Sequence, residues 1–568
     1  MSSHSLIAPL LRLVATLAVV SLIASACGSP TRTPDPPSSS ADAAVPPACP
    51  PTAETSPPAN ATSWWRDRTF YEVFVRSFAD SDGDSIGDLR GLIGKLDYLN
   101  DGNPATTTDL GVTALWLMPV AESPSYHGYD VTDYKAIEKD YGTADDFRAL
   151  MTAAHARGID VIVDLVLNHT SIDHPWFQDA RTPGSRHDDW YVWSNGPPTF
   201  AGPGGQPVWH KDGGRWYYGY FSEGMPDLNL RNPDVTTALD DVARFWLDDL
   251  GVDGFRLDAA RHLIEDGSQL ENTPATFAWL AGFRNRVEQD KPNAVLIGEV
   301  WDSTSIASSY VAQRALDMTF EFDLASAYLN AVNLGDPGSL SLAQAEVSAA
   351  YPPGGFGAFL TNHDQDRTTD VLHRNAASTR LAGTLLLTGS GVPFIYYGEE
   401  IGLRGRKPDE EIRTPMPWNR AGPGYGFTAG EPWEPMAPGI DTTNVATETN
   451  DPASLLAHYR ALVALRSAHP ALSSGELIPV SASPGIYAYL RHAGEESIAV
   501  VANLTDQAIT APSLSIAAGP LCGAPRAASL LGAAVQSAPT ISPSGGFVGY
   551  VPVAHLEAQD ALVIRFSP

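Results

Sequence analysis

From Trp64 onward the chain alternates short apolar runs with helical stretches, the pattern of repeated strand-helix units. Eight runs have strand length: YEVFVRSF (71–78), ALWLMPV (114–120), DVIVDLVLNH (160–169), GFRLDAA (254–260), AVLIGEV (294–300), MTFEFDL (318–324), GAFLTNHD (357–364) and PFIYYGEE (393–400). They predict an α/β fold, a (β/α)8 barrel of the TIM type, in which chemistry-bearing side chains project from the carboxyl ends of parallel strands. Asn168, His169, Asp258, Glu299, His363, Asp364 and Glu400 stand at such ends.

Two stretches break the repeat. About 84 residues separate the third run from the fourth, too many for one helix, and residues 170–230 are rich in Trp, Tyr, Gly and His. A loop of that length without structure is rare, so an inserted domain is expected beside the exit of strand three. Its tryptophans, Trp190, Trp193, Trp209 and Trp216, are of a type that stacks on sugar rings, but the preferred expectation is that they build its own core. After about residue 475 the text changes to alternating strands and turns, as in GIYAYLRH (485–492) and ESIAVVANLT (496–505), which predicts a C-terminal all-β sandwich over 475–568. The barrel then occupies 64–169 and 231–474.

The first residues read as an address. LVATLAVVSLIA (13–24) is too short for a permanent span and suits an export signal. Ala24-Ser25-Ala26-Cys27 resembles a bacterial lipobox, with Ala24 where such boxes usually carry Leu. The expectation is an exported, membrane-anchored lipoprotein of a bacterial envelope, lipidated on Cys27, with soluble secretion as the alternative. Residues 28–63 contain ten prolines in 36 residues, the composition of an extended tether. Cys49 within it and Cys522 near the far end are open to pairing in an exported protein.

Composition narrows the partners. Hydrophobic residues at 43% and charged residues at 18% describe a folded globular protein. With 36 Lys+Arg against 66 Asp+Glu the formal charge is 36 − 66 = −30, which excludes a nucleic-acid partner, because phosphate backbones are held by clustered cations. The three cysteines make neither a disulfide scaffold nor a zinc site.

Asp258, Glu299 and Asp364 sit where apolar strands run out into loops, and carboxylates so placed must be solvated, paired or functional. Glycoside hydrolysis with retention needs one carboxylate as nucleophile and one carboxylic acid to protonate the leaving oxygen. Arg256, two residues before Asp258 on one strand, shares its face and is expected to keep Asp258 ionised, while an acid without such a neighbour keeps its proton. This favours Asp258 as nucleophile and Glu299 as acid/base. His169 and His363 are placed to donate hydrogen bonds to sugar hydroxyls.

The segments DLVLNH (164–169), GFRLDAARH (254–262), GEVW (298–301) and LTNHDQDR (360–367) resemble, in order, the four signature regions of the α-amylase family, glycoside hydrolase family 13. GVTALWLMPV (111–120), HGYDVTDY (127–134), MPDLN (225–229) and GVPFIYYGEE (391–400) support the resemblance, which covers residues 64–568. It implies that Asp258 is the nucleophile, Glu299 the general acid/base and Asp364 the acid that binds and distorts the sugar. It further implies that Tyr129 stacks on that sugar and that His169, Arg256 and His363 surround it. The pair Arg261-His262 resembles the basic pair that α-amylases place under the leaving glucose units, and Ala259 stands where α-1,6-specific members often carry Val. MPDLN resembles an intermediate group that includes bacterial lipoprotein α-amylases. The implied activity is retaining cleavage of α-1,4-glucosidic bonds in starch, glycogen-like glucans and maltooligosaccharides, by a monomer. RTPMPW (413–418), one residue from the RTPMQW of oligosaccharide-active members, keeps an exo-acting α-glucosidase or neopullulanase-like enzyme as runner-up. A non-catalytic surface starch-binding protein is the reading from another class.

DSDGDSIGD (80–88) places Asp80, Asp82, Asp84 and Asp88 at spacings able to wrap one hard cation, joined by the Ile86 carbonyl. Ser85 at position six and Gly91 at position twelve exclude an EF-hand. The same loop binds Ca2+ in members of the resembled family, so calcium is expected. A second, weaker calcium site is implied at Asn168, Asp227 and the His262 carbonyl.

Overall fold

The computed structural model describes residues 63–196, 200–203 and 205–567. The export signal, Cys27, Cys49 and the tether up to Thr62 lie outside the described residues. Cys522 is disulfide-bonded. Among the described residues no helix is long and apolar enough to cross a membrane.

Each of the eight runs carries one strand of a closed parallel barrel: β1 (Phe70–Val73), β2 (Ala114–Leu117), β3 (Asp160–Leu165), β4 (Gly254–Leu257), β5 (Val295–Gly298), β6 (Met318–Phe320), β7 (Phe356–Ala358) and β8 (Val392–Tyr396). β1 closes the ring by pairing with β8 (Phe70↔Phe394) and β2 (Phe70↔Ala114). The strands are shorter than the runs. In the sixth, only Met318–Phe320 is extended, and Phe322–Leu334 is already helix.

The two-residue period of the strands decides which side chains reach the axis. Phe70, Ala114, Trp116, Ile162, Val295, Ile297, Met318, Phe320, Val392 and Phe394 fill the barrel interior, while Tyr71, Leu115, Val161, Phe255 and Leu296 pack outward into the main core. Continuing the inward positions toward the carboxyl ends gives Glu72, Asp164, Arg256, Asp258 and Glu299. The interior is therefore graded from an apolar floor to a charged rim.

The chain enters at the floor. The turn Trp64–Asp67 packs Trp64 on Phe70, the first residue of β1, with ring centroids 6.1 Å apart. Trp64 Nε1 donates to the carbonyl of Asn293, just ahead of β5, at 2.8 Å.

The expected insertion follows β3. It contains the helix Pro175–Ala180 and a three-stranded sheet of Trp193–Ser194, Trp209–Asp212 and Arg215–Tyr218. The bridge His169↔Asp227 fastens it to the barrel rim, and Tyr191↔Leu228 ties its two ends together. Trp190 is buried in the main core rather than in a core of the insertion's own, Trp193 packs against that core, and Trp209 packs against a small separate cluster with Val208 and Tyr218.

The C-terminal domain is an antiparallel sheet of β9 (Glu476–Ala482), β10 (Ile486–Ala493), β11 (Glu496–Asn503), β12 (Leu514–Ile516), β13 (Arg526–Leu531), β14 (Phe547–Tyr550) and β15 (Ala561–Ser567), in the order β13-β15-β11-β10-β9-β12-β14. Strand β9 joins two halves: Glu476–Val480 pair with β10, and Ser481–Ala482 pair with β12. Leu490 and Val501 from one half and Leu514 and Phe547 from the other share one apolar core, so the two layers of the sandwich are linked through a common strand.

Candidate active site

Arg256 organises the rim. Its register partners are Asp164 on β3 and Ile297 on β5, so the guanidinium lies between two strands that each supply an acid. Nη1 donates to Asp164 Oδ1 and to Asp258 Oδ1, both at 2.7 Å, and Nη2 donates to Glu299 Oε2 at 2.8 Å. At 1% exposure, Arg256 is a buried cation shared by three carboxylates, the condition under which burying a charge is tolerable. This corrects the expectation that Arg256 favours Asp258 alone: the pairing of β4 with β5 delivers Glu299 to the same guanidinium. Burial pushes the carboxyls of Asp258 and Glu299 above their ordinary values, with Arg256 opposing the shift in both. Burial likewise raises Asp164 to about 7.

The backbone contributes a second contact. Ala259, directly after Asp258, has φ +47°, a left-handed conformation that side-chain-bearing residues seldom adopt. It turns the Ala259 N–H toward Glu299 Oε2, 3.1 Å away.

Asp364 stands in a different field. His363 Nε2 lies 3.2 Å from its Oδ2 and Arg413 Nη2 is 3.0 Å from its Oδ1. Burial opposes ionisation, yet His363 and Arg413 outweigh it and hold this carboxyl well below the usual range. His363 is held in turn by Glu72, whose Oε1 is 2.6 Å from Nδ1. Burial disfavours the charged imidazole, but Asp364 and Glu72 raise it to about 9. Tyr129 OH is 2.7 Å from His363 Nε2 and donates to Asp164 Oδ2 at 3.2 Å.

Asp258, Glu299 and Asp364 open onto one cavity of ≈ 440 Å³, which Tyr129, His169, Arg261 and His262 also line. Arg256 and His363 do not reach it; they lie behind the acids. Burial drops His169 and His262 to about 4. His169 Nδ1 is 3.0 Å from Asn168 Oδ1, and its Nε2 has no protein partner. Arg261 Nε donates to His262 Nε2 at 3.0 Å, and Nη1 donates to the carbonyl of Trp301.

Sequence reading overlooked several lining residues. Asp409 and Arg413 arrive from the loop after β8, Tyr220 and Phe221 from the inserted domain and Trp301 from the loop after β5. Phe221 and Trp301 are 45% and 43% exposed, unusual for large rings, and Trp301 lies parallel to Phe322 at 4.5 Å. Asp164 and Glu72 did leave a signal, as acids at inward positions of otherwise apolar strands. Glu400, in contrast, is not at the site: it is fully buried and accepts hydrogen bonds from Tyr71 OH at 2.8 Å and Tyr98 OH at 2.6 Å.

The loop after β1 carries part of the expected cation set. Oxygens of Asp80, Asp82 and Asp88 lie within 4.8 Å of one another, and such hard donors suit calcium. Asp84 stays outside the group, its carboxylate accepting the Ile86 N–H at 2.9 Å. Asp88 also caps the helix Leu89–Ile93 through the Gly91 N–H at 2.8 Å. The second set fits less well. Asn168 Nδ2 donates to the His262 carbonyl at 2.8 Å, so the amide presents its donor where a shared cation needs an acceptor. Asp227 Oδ1 accepts the Tyr220 N–H at 3.1 Å, while Oδ2 is buried without a partner.

Fold and rim together are those of a glycoside hydrolase. Residues 72–475 match the family described as alpha amylase, catalytic domain, and the chain belongs to that family. It is 40% identical over 455 residues to alpha-amylase 3 of Dictyoglomus thermophilum, covering 78% of this chain and 85% of that one. It is 35% identical over 494 residues to the trehalose synthase/amylase TreS of Mycolicibacterium smegmatis, covering 76% and 81%. Among solved structures, the alpha-amylase from H. orenii superposes with a TM-score of 0.76 at 39% identity, over 89% of this chain and 100% of that one.

Proposed function

We propose that the protein is a retaining α-amylase that hydrolyses α-1,4-glucosidic bonds in starch, glycogen-like glucans and maltooligosaccharides. The observation that carries this reading is the bridge from Arg256 to both Asp258 and Glu299 at the mouth of one cavity. It holds two carboxyl groups close together, as a double displacement requires. Asp258 attacks the anomeric carbon, the glycosidic carbon–oxygen bond breaks, and the Glu299 proton passes to the leaving oxygen. Glu299 then takes a proton from water as that water displaces Asp258 from the sugar. The division of roles is the one the family resemblance implies, since burial and Arg256 act on both carboxyls alike. Arg256 and the Ala259 N–H both donate to Glu299 Oε2, which leaves Oε1 to carry the proton. Asp364, kept ionised by His363 and Arg413, binds the sugar hydroxyls and favours positive charge developing on the ring.

Tyr129 packs against that sugar, with the free Nε2 of His169 accepting from a sugar hydroxyl, because its Nδ1–H is held by Asn168 Oδ1, and with Arg261 and His262 on the leaving side. Calcium at Asp80, Asp82 and Asp88 would fix the loop after β1 and supplies no chemistry to the cleavage. The same reading makes the protein exported, anchored through Cys27, and monomeric.

Release of single glucose units from chain ends is the second reading. It is favoured by Asp409 and Arg413, which stand beside Asp364 and would close the donor end of the cavity. Maltoheptaose digestion, with product lengths and anomeric form followed over time, tests both. Early maltose and maltotriose with α-anomeric ends support the amylase; glucose alone from the start supports the second reading; no cleavage sinks both in favour of a glucan-binding protein.

A further inference from the structure

We propose that the cavity between the inserted domain and the barrel is a second, non-catalytic site for an α-glucan chain; this rests on the glucan reading above. The cavity measures ≈ 740 Å³, against ≈ 440 Å³ for the catalytic one, and lies within the range of ligand sites. Trp193, Phe200, Trp209 and Tyr218 line it from the inserted domain, and Leu263 and Ile264 from the loop after β4.

Three observations identify the ligand class. First, four flat rings line the cavity together, Trp193, Phe200, Trp209 and Tyr218, surfaces on which the apolar faces of sugar rings stack. Second, acids outnumber cations on the lining: Asp188, Asp189 and Glu265 stand against Arg215 and Arg231. Arg215 is paired with Asp188 and lies over the Trp193 ring, 3.6 Å from its centroid, and the exposed Arg231 donates to the Glu265 carbonyl at 2.8 Å. That balance disfavours a phosphate or carboxylate. A neutral polyol with apolar ring faces fits, because it stacks on aromatics.

Third, the two cavities share a wall. Met225 faces the catalytic cavity while Leu228 and Asn229 face the second, and His262 and Leu263 divide in the same way. A chain held on one side is thus kept one wall away from the acids on the other, which raises its local concentration there.

The test uses the full chain with Asp258→Asn to stop turnover, titrated with maltoheptaose by calorimetry. Two binding classes are expected, and adding Trp209→Ala should weaken one of them at least about tenfold and leave the other. With Asp258 intact, Trp209→Ala should change kcat/KM on maltotriose by less than about twofold while reducing retention on starch gels. If Trp209→Ala does not fold, Asn195→Arg, a substitution at an exposed residue of the lining, decides by filling the cavity. A single class untouched by both variants overturns the second site and leaves the glucan reading standing. No maltoheptaose binding by the Asp258→Asn protein overturns the glucan reading itself.

Discussion

Arg413 Nη2 and Asp364 Oδ1 lie 3.0 Å apart, joining the loop after β8 to the end of β7. Because Arg413 helps His363 keep Asp364 ionised, its removal should raise the Asp364 carboxyl and weaken sugar binding in the transition state. Arg413→Ala is expected to lower kcat/KM about 10²-fold or more. The acid limb of the pH profile should move to higher pH, since the ionised form is lost sooner on acidification. Arg413→Lys should recover part of both. An unshifted acid limb would show that His363 alone sets Asp364.

Stability should fall with rising pH, because of an acid far from the cleft. Glu399 is buried and accepts from Thr368 Oγ1 and Tyr459 OH, each at 3.0 Å; burial raises it from 4.5 to about 8. The folded protein therefore keeps a proton that the unfolded chain releases. This contribution is fully present below about 4.5 and lost as pH rises through about 8, with an order of magnitude of a few kcal/mol. Melting temperatures at pH 5 and pH 8 should differ less in Glu399→Gln than in the parent. Equal differences would rule out Glu399 as the source.

Phe221 and Trp301 should govern longer substrates. Trp301 follows Glu299 by two residues, and its carbonyl accepts from Arg261 on the same cavity. Trp301→Ala is expected to raise KM for maltoheptaose about tenfold, roughly 1.4 kcal/mol, with a smaller effect on maltotriose. Phe221→Ala should act in the same direction. An equal loss on both substrates would assign the rings to packing instead.

Calcium should act on stability and leave the chemistry alone. Chelation is expected to lower the melting temperature by a few degrees, and added calcium to restore it, as for a ligand bound by the folded state only. In Asp82→Ala the response should vanish while kcat at low temperature stays near that of the parent. A chelator response that survives this substitution would move the ion to the Asn168–Asp227 seam.

The barrel was legible because strands alternate sides every two residues and stop at polar ends, so Asp258 and Glu299 could be placed at the rim without coordinates. Their shared contact with Arg256 could not, since it depends on the register Arg256↔Ile297. Asp364 was legible at the end of its run, but Arg413 lies 49 positions further on, and no local pattern joins them. Phe221 carries no signal in its own segment; only the folding of the inserted domain over the rim brings it to the cavity. Glu400 misled because a polar residue after an apolar strand can turn outward as readily as inward. The orientation of the Asn168 amide is set by the His262 carbonyl, 94 positions away, together with the adjacent His169, and leaves no trace in spacing.

The seating of Trp64 on Phe70 and Asn293 gives the molecule a heel and a mouth. The polypeptide arrives at the heel, and the acids open at the opposite pole. A chain attached ahead of Trp64 therefore meets the barrel at its floor, at the opposite end from Asp258, Glu299 and Asp364, and pulling on it would load β1 without touching the acids.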